Sequence, residues 1–251
     1  MKLIIALLLC SLSLGVVAAS DFAATEAKIK SALADERRSP KEMERDKNRK
    51  ALETLDFFRL RDDMRVLELL PGGGWYTKIL GPVLEAKGRL YISIGAEGTF
   101  KALKDQAGFS ALEVIPFDAA NFSRKAGERK ATVPELSFGV KDLDMVLTFR
   151  NMHNFTAEGR ANINRATFDA LKSGGLFGVV DHTRRHMQSE TGENWRRIDP
   201  VEVIKEVEAS GFEFVDYSTL HYRADDELKY EVGRRSVSGN TDRFTFLFRK
   251  P

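Results

Sequence analysis

The chain has 251 residues, 43% hydrophobic, 30% charged and 10% aromatic, which excludes a disordered tail, a collagen-like chain and a coiled-coil rod. Its 39 basic and 37 acidic side chains leave a formal charge of +2, too balanced for a general nucleic-acid binder. A single cysteine, Cys10, excludes a disulfide framework and a cysteine-based zinc site.

Lys2, the apolar run Leu3–Val17 and the small residues Val17-Ala18-Ala19 read as a secretory leader over residues 1–19, cleaved near Ala19. The run is shorter than the roughly 20 residues that a spanning helix needs. An N-terminal membrane anchor is the competing reading. The leader predicts a periplasmic or secreted protein with no membrane span after cleavage.

Residues 20–60 predict an N-terminal helical extension. Ile29 and Leu33 lie four apart, and Leu52, Leu55 and Phe58 form a similar stripe. Ser39-Pro40 divides the segment into two helices, serine as N-cap and proline in the first turn. Asp35–Lys50 carries seven basic and five acidic residues and reads as a solvated face laced with local ion pairs.

From residue 61 to 251 short apolar runs alternate with amphipathic stretches. Strands are expected at Arg65–Leu69, Leu90–Ile94, Glu113–Phe117, Met145–Phe149, Leu176–Asp181, Glu213–Leu220 and Phe244–Arg249. Helices are expected at Tyr76–Glu85, Phe100–Gly108, Ala157–Leu171 and Val201–Ala209. Such alternation predicts an α/β domain with a parallel sheet covered on both faces. The last two strands lack an intervening helix, so an antiparallel pair is expected at the C-terminal edge.

The segment Val66-Leu67-Glu68-Leu69-Leu70-Pro71-Gly72-Gly73-Gly74-Trp75-Tyr76-Thr77 runs from strand through glycines into helix. Such a turn brings a ligand against bare backbone at a helix N-terminus. No G-x-x-x-x-G-K-[ST] is present, and Thr77 stands where a dinucleotide fingerprint ends in Gly or Ala. With an acid ahead of the glycines and no phosphate-neutralising lysine, the turn suits an uncharged nucleoside with an amino-acid tail.

In order, Glu68, Gly72-Gly73-Gly74, Asp118, Asp144-Met145-Val146-Leu147 and Leu171-Lys172-Ser173-Gly174-Gly175 resemble class I S-adenosylmethionine-dependent methyltransferases. Pro71–Thr77, Arg150-Asn151-x-His153-Asn154, Val180-Asp181-His182 and Thr241-Asp242-Arg243-Phe244 resemble, more narrowly, a group of exported bacterial predicted methyltransferases. The resemblance covers about Arg45 to the C-terminus. It implies a seven-stranded Rossmann-like sheet, mostly parallel, with an antiparallel C-terminal edge strand and S-adenosylmethionine as cofactor. Glu68 matches the acid that helps hold the methionine end. Gly72, Gly73 and Gly74 match the loop that admits the cofactor, and Asp118 the acid that bonds the adenine amino group. Leu70 replaces the first loop glycine, and Ile94 falls where the ribose-gripping acid usually ends the second strand.

Two polar sets follow the fourth and fifth strands: Arg150-Asn151-Met152-His153-Asn154 and Asp181-His182-Thr183-Arg184-Arg185-His186. Methyl transfer requires a positioned nucleophile and a proton acceptor. His153 or His182 is the candidate base, Asp181 its orienting partner or a substrate ligand, and Arg150 the binder of an anionic group on a small-molecule acceptor. The plainer readings are hydrogen-bonded structural histidines and a local Asp181–Arg184 ion-pair cluster. His153, Asp181, His182 and His186 match no metal-site spacing, so no metal is expected. His221 reads as structural, Trp195 as packing or a lid, and Thr241-Asp242-Arg243 as ion pairing at the sheet edge. A non-catalytic binding protein on the same fold is the alternative function. A nicotinamide-dependent oxidoreductase is disfavoured by Trp75 and Thr77.

Overall fold

The computed structural model describes residues 18–251. The leader expected at 1–19 lies, but for its last two residues, outside the described residues. After helix α1 (Ala18–Leu33), the second expected helix is three short ones: α2 (Pro40–Met43), α3 (Asp46–Arg49) and α4 (Ala51–Phe57). Ser39 caps α2 as expected: its hydroxyl accepts from Glu42 N–H while the Glu42 carboxylate accepts from Ser39 N–H. The break before α4 is Lys50, in the left-handed region at φ 43°, a conformation that cannot continue a right-handed helix.

The strands are β1 (Arg65–Leu69), β2 (Arg89–Ser93), β3 (Leu112–Ile115), β4 (Leu143–Phe149), β5 (Leu171–His182), β6 (Glu213–Ser218) and β7 (Arg243–Arg249). Between them lie α5 (Thr77–Leu84), α6 (Glu97–Leu103), α7 (Ala157–Ala170) and α8 (Pro200–Ala209). They form one seven-stranded sheet in the order β3-β2-β1-β4-β5-β7-β6. Strands β1 to β5 pair in parallel, and β7 runs antiparallel to both β5 and β6. The antiparallel pair expected at the C-terminal edge is present, with β7 the reversed strand and β6 outermost.

Side-chain alternation along the central strands feeds two cores. Val66, Met145 and Leu147 pack with Ile29, Leu55, Phe58 and Ile79 on one face; Leu67, Leu69 and Val146 pack with Ile163, Phe177 and Val203 on the other. The N-terminal helices are thus part of the first core. Phe58 seats against Gly178 of β5, where an added Cβ would come 2.8 Å from Leu147 Cδ2 and 2.9 Å from the Phe58 ring. Gly178→Ala is therefore expected to cost about 1–3 kcal/mol through overpacking. An unchanged urea midpoint would show that Phe58 is not seated there.

Strand order reverses between β1 and β4, since β2 and β3 extend the sheet on one side of β1 and β4 continues it on the other. In open α/β sheets the crevice beyond such a switch point receives ligands. Residues immediately after three adjacent strands, Leu70 (φ 52°), Ile94 (φ 58°) and Arg150 (φ 65°), are all left-handed. Non-glycine residues adopt this conformation at a cost of about 1–3 kcal/mol each, and such strain concentrates at functional rims.

Candidate active site

A cavity of about 370 Å³ opens at that switch point. Its floor is made by Glu68 and Leu70 from the end of β1, Gly72 and Gly73 from the turn, and Phe149 and Arg150 from the end of β4. Its walls include His153, His182, Thr241 and Arg243, with Arg45 and Arg49 supplied by the N-terminal helices.

Glu68 is 2% exposed, and its Oε2 accepts a 2.7 Å hydrogen bond from the Thr77 hydroxyl. Burial is the main influence on its carboxyl, pushed up to about 7 against the opposing pull of Thr77 and Arg49. Thr77, the residue that broke the dinucleotide pattern, is thus the partner that positions the acid. A Cβ added at Gly72 or Gly73 would meet nothing within 4 Å, so the turn faces open space there. Gly74 differs: its added Cβ would lie 2.8 Å from Thr99 Cγ2, so this glycine serves close packing on α6. Trp75 and Leu70 line the cavity without filling it. The Trp75 indole N–H donates to the Glu42 carbonyl at 3.0 Å, and the Arg38 and Arg49 guanidinium groups lie over its ring.

The two polar sets after β4 and β5 meet. His153 Nδ1 lies 2.6 Å from Asp181 Oδ1, and the backbone N–H groups of His153 and His182 donate to the two Asp181 oxygens at 3.0 and 2.7 Å. Both Asp181 oxygens already accept from backbone N–H groups, so the carboxyl acts as acceptor towards the ring as well and takes the Nδ1 hydrogen, which leaves His153 Nε2 as the free ring nitrogen. His182 is different. Its Nδ1 contacts the Thr241 hydroxyl at 2.9 Å, and burial, reinforced by His153 and nearby arginines, holds its pKa well below the usual imidazole range. A histidine held neutral so strongly is a poor proton acceptor, and it is the His153 ring, not that of His182, that Asp181 holds.

The remaining residues separate. Asp118 stands exposed in the loop after β3, its carboxylate accepting from Ala120 N–H at 2.9 Å, and is not on the cavity wall. Ile94 is buried at the end of β2. His186 pairs with Asp199 outside the cavity. Trp195 lies between Arg129 and Arg196, 5.5 Å from its ring centroid to each guanidinium carbon, and does not reach the cavity. Among the described residues no group of three or more His, Cys, Asp or Glu is arranged to hold a metal ion.

Several wall residues are not marked by the sequence, among them Arg45, Arg49 and Arg243. Arg45 and Arg49 sit within the charged run assigned to solvent, and Arg243 within the tripeptide assigned to edge ion pairing. Arg45 and Arg49 are four apart, the spacing that aligns side chains on one helical face. His221 turns that face inward: it contacts the Arg49 carbonyl through Nε2 at 3.1 Å and the Thr245 hydroxyl through Nδ1 at 2.7 Å, tying α3 to β7. Burial lowers His221 to about 4, so this tether is made by a neutral ring.

No protein-family model matches the chain, and none of the curated proteins matches it. Solved structures do. A SAM-dependent methyltransferase from Aquifex aeolicus is similar with a TM-score of 0.58 and 15% identity, over 89% of this chain and 97% of that one. The [4+2]-cyclase SpnF is similar at TM-score 0.55 and 14% identity, over 91% of this chain and 93% of its own. Human N-acetylserotonin methyltransferase in complex with SAM gives 0.51 and 12% identity, over 94% of this chain and 60% of that one. The architecture is therefore the Rossmann-like fold of class I SAM-dependent methyltransferases.

Proposed function

We propose that this protein binds S-adenosylmethionine beside Glu68 and transfers its methyl group to a small-molecule acceptor in the cell envelope. The carrying observation is one cavity at the switch point with a buried acid and bare glycine backbone on its floor and His153, held from behind by the buried Asp181, on its wall. The leader-like residues 1–19 support the envelope location.

The residues suit the cofactor by their own chemistry. Among the described residues Glu68 is the one carboxylate on the cavity wall, placed to pair with an ammonium, and Gly72 and Gly73 leave backbone open beside it. When bound, S-adenosylmethionine supplies an electrophilic methyl carbon on a positively charged sulfur. His153 Nε2 takes the proton that the acceptor's nucleophilic atom loses as it gains the methyl group. Asp181 holds the imidazole in the required tautomer and stabilises the imidazolium that results. Neutral His182, anchored by Thr241, packs beside it with ring centroids 5.6 Å apart.

Calorimetric and thermal-shift titration with S-adenosylmethionine and S-adenosylhomocysteine tests the reading, because a ligand of the native state raises its melting temperature. We expect a shift with either. We also expect Gly73→Val to abolish it without loss of fold, since its side chain enters open space rather than protein. Absence of heat and shift in the parent protein overturns the reading.

A second reading, a non-catalytic small-molecule binding protein, draws on Ile94 in place of a ribose acid and on Leu70 in the glycine turn. The cyclase among the structural neighbours illustrates that this fold hosts other roles. It is distinguished by cofactor or acceptor binding with no methyl transferred.

A further inference from the structure

We propose that Arg45, Arg49, Arg150 and Arg243 form a subsite for a doubly charged oxyanion, a phosphate-type group carried by the acceptor. Assignment to the acceptor rests on the methyl-transfer reading; the anion site itself does not.

All four side chains line the same cavity. Among the described residues none of the four is in an ion pair. The only hydrogen bond from any of their side chains there is Arg243 Nη1 to the Asn48 carbonyl at 2.8 Å. The Nε groups of Arg45, Arg49 and Arg243 are buried without a partner, and Arg243 is only 4% exposed. Other buried arginines of this protein are treated differently. Arg197 makes a two-pronged pair with Asp226 at 2.9 Å, and Arg160 pairs with Glu206 at 2.6 Å. Buried guanidinium groups without anions are costly, and several facing one space repel each other.

Burial and mutual proximity pull Arg49 and Arg243 down to about 9, where they stay charged at neutral pH, and lower Arg150 as well. Asp181 attracts Arg150 but already accepts from His153 and two backbone N–H groups, and burial raises the Glu68 carboxyl to about 7, so neither carboxylate forms an ion pair with these arginines. A single carboxylate from a ligand would leave most of the charge unbalanced. Phosphate supplies two charges and acceptor oxygens in the fork geometry that guanidinium groups match.

The test is isothermal and thermal-shift titration of the full mature protein with inorganic phosphate and glycerol phosphate, against acetate at matched ionic strength, with and without saturating S-adenosylhomocysteine. Vesicles of phosphatidylglycerol form a parallel arm that distinguishes a lipid headgroup from a soluble phosphate. We expect phosphate compounds to bind with and without S-adenosylhomocysteine, acetate to bind weakly, and Arg150→Gln or Arg45→Gln each to weaken phosphate binding tenfold or more. Each variant should also raise the melting temperature in the absence of phosphate, because it relieves repulsion; a merely structural arginine would lower it. Binding in either phosphate arm that these variants weaken supports the site. No binding in any arm overturns it, whatever S-adenosylhomocysteine does. Phosphate displaced by S-adenosylhomocysteine overturns the acceptor assignment, since the arginines would then serve the cofactor's carboxylate. If phosphate binds and S-adenosylhomocysteine does not, the subsite stands and the methyl-transfer reading alone fails.

Discussion

Asp181→Asn is expected to lower methyl transfer by about 10²–10⁴-fold, the contribution usual for a positioned general base, while leaving S-adenosylhomocysteine binding intact. Asp181 receives three hydrogen bonds, from the His153 ring and the backbone N–H groups of His153 and His182. An asparagine has one acceptor oxygen and one donor amide, so it cannot reproduce all three. If its amide faces His153 Nδ1, the imidazole must carry its proton on Nε2 and cannot accept one from the acceptor. If its oxygen faces the ring, the amide opposes the His153 backbone N–H. Either way the basic tautomer is lost or its support is broken. Methyl incorporation from labelled S-adenosylmethionine into an envelope extract measures the effect, with His153→Ala alongside. Wild-type incorporation in both variants would remove the dyad from the mechanism.

Glu68→Gln is expected to stabilise the protein at alkaline pH by up to about 3 kcal/mol while eliminating cofactor binding. The folded protein holds the Glu68 proton up to about 7, whereas the free side chain loses it at 4.5. Between those values the native state binds more protons than the unfolded one, so this group's contribution to stability is fully present below pH 4.5. It is lost as pH rises through about 7. Glutamine stays neutral throughout and still accepts from the Thr77 hydroxyl. The parent and variant should therefore be equally stable at pH 4.5 and diverge towards pH 8 in urea unfolding. Parallel curves would mean that Glu68 is ionised at little cost. A buried acid kept at such expense is the pattern of a site that trades stability for a ligand.

Buried parallel strands read as continuous apolar runs, so β1 and β4 are legible from Arg65–Leu69 and Met145–Phe149, and β5 from Leu176–Asp181, although β5 begins five residues earlier, at Leu171. The same holds for α5 and α8 and for the Ser39 cap, whose signals are carried by neighbouring residues. Local legibility failed where a backbone turned against its side chain's preference. Lys50 breaks the expected second helix, and Leu70, Ile94 and Arg150 take left-handed turns at the strand ends with no glycine to announce them. Gly74 shows the converse: its place in the turn suggested ligand contact, and its surroundings reveal packing on α6.

The sequence by itself determined the alternation of elements, the reversed strand near the C-terminus, the glycine turn after Glu68 and the polar sets after β4 and β5, because each is a pattern among residues close in the chain. Only the tertiary structure decided which histidine Asp181 holds, that β7 lies between β5 and β6, and that Arg45 and Arg49 turn away from water. Those outcomes depend on contacts such as Arg243 with Asn48, 195 residues apart. A charged run carries no mark of whether it will meet solvent or the far end of a sheet, since that is settled by where the chain closes on itself.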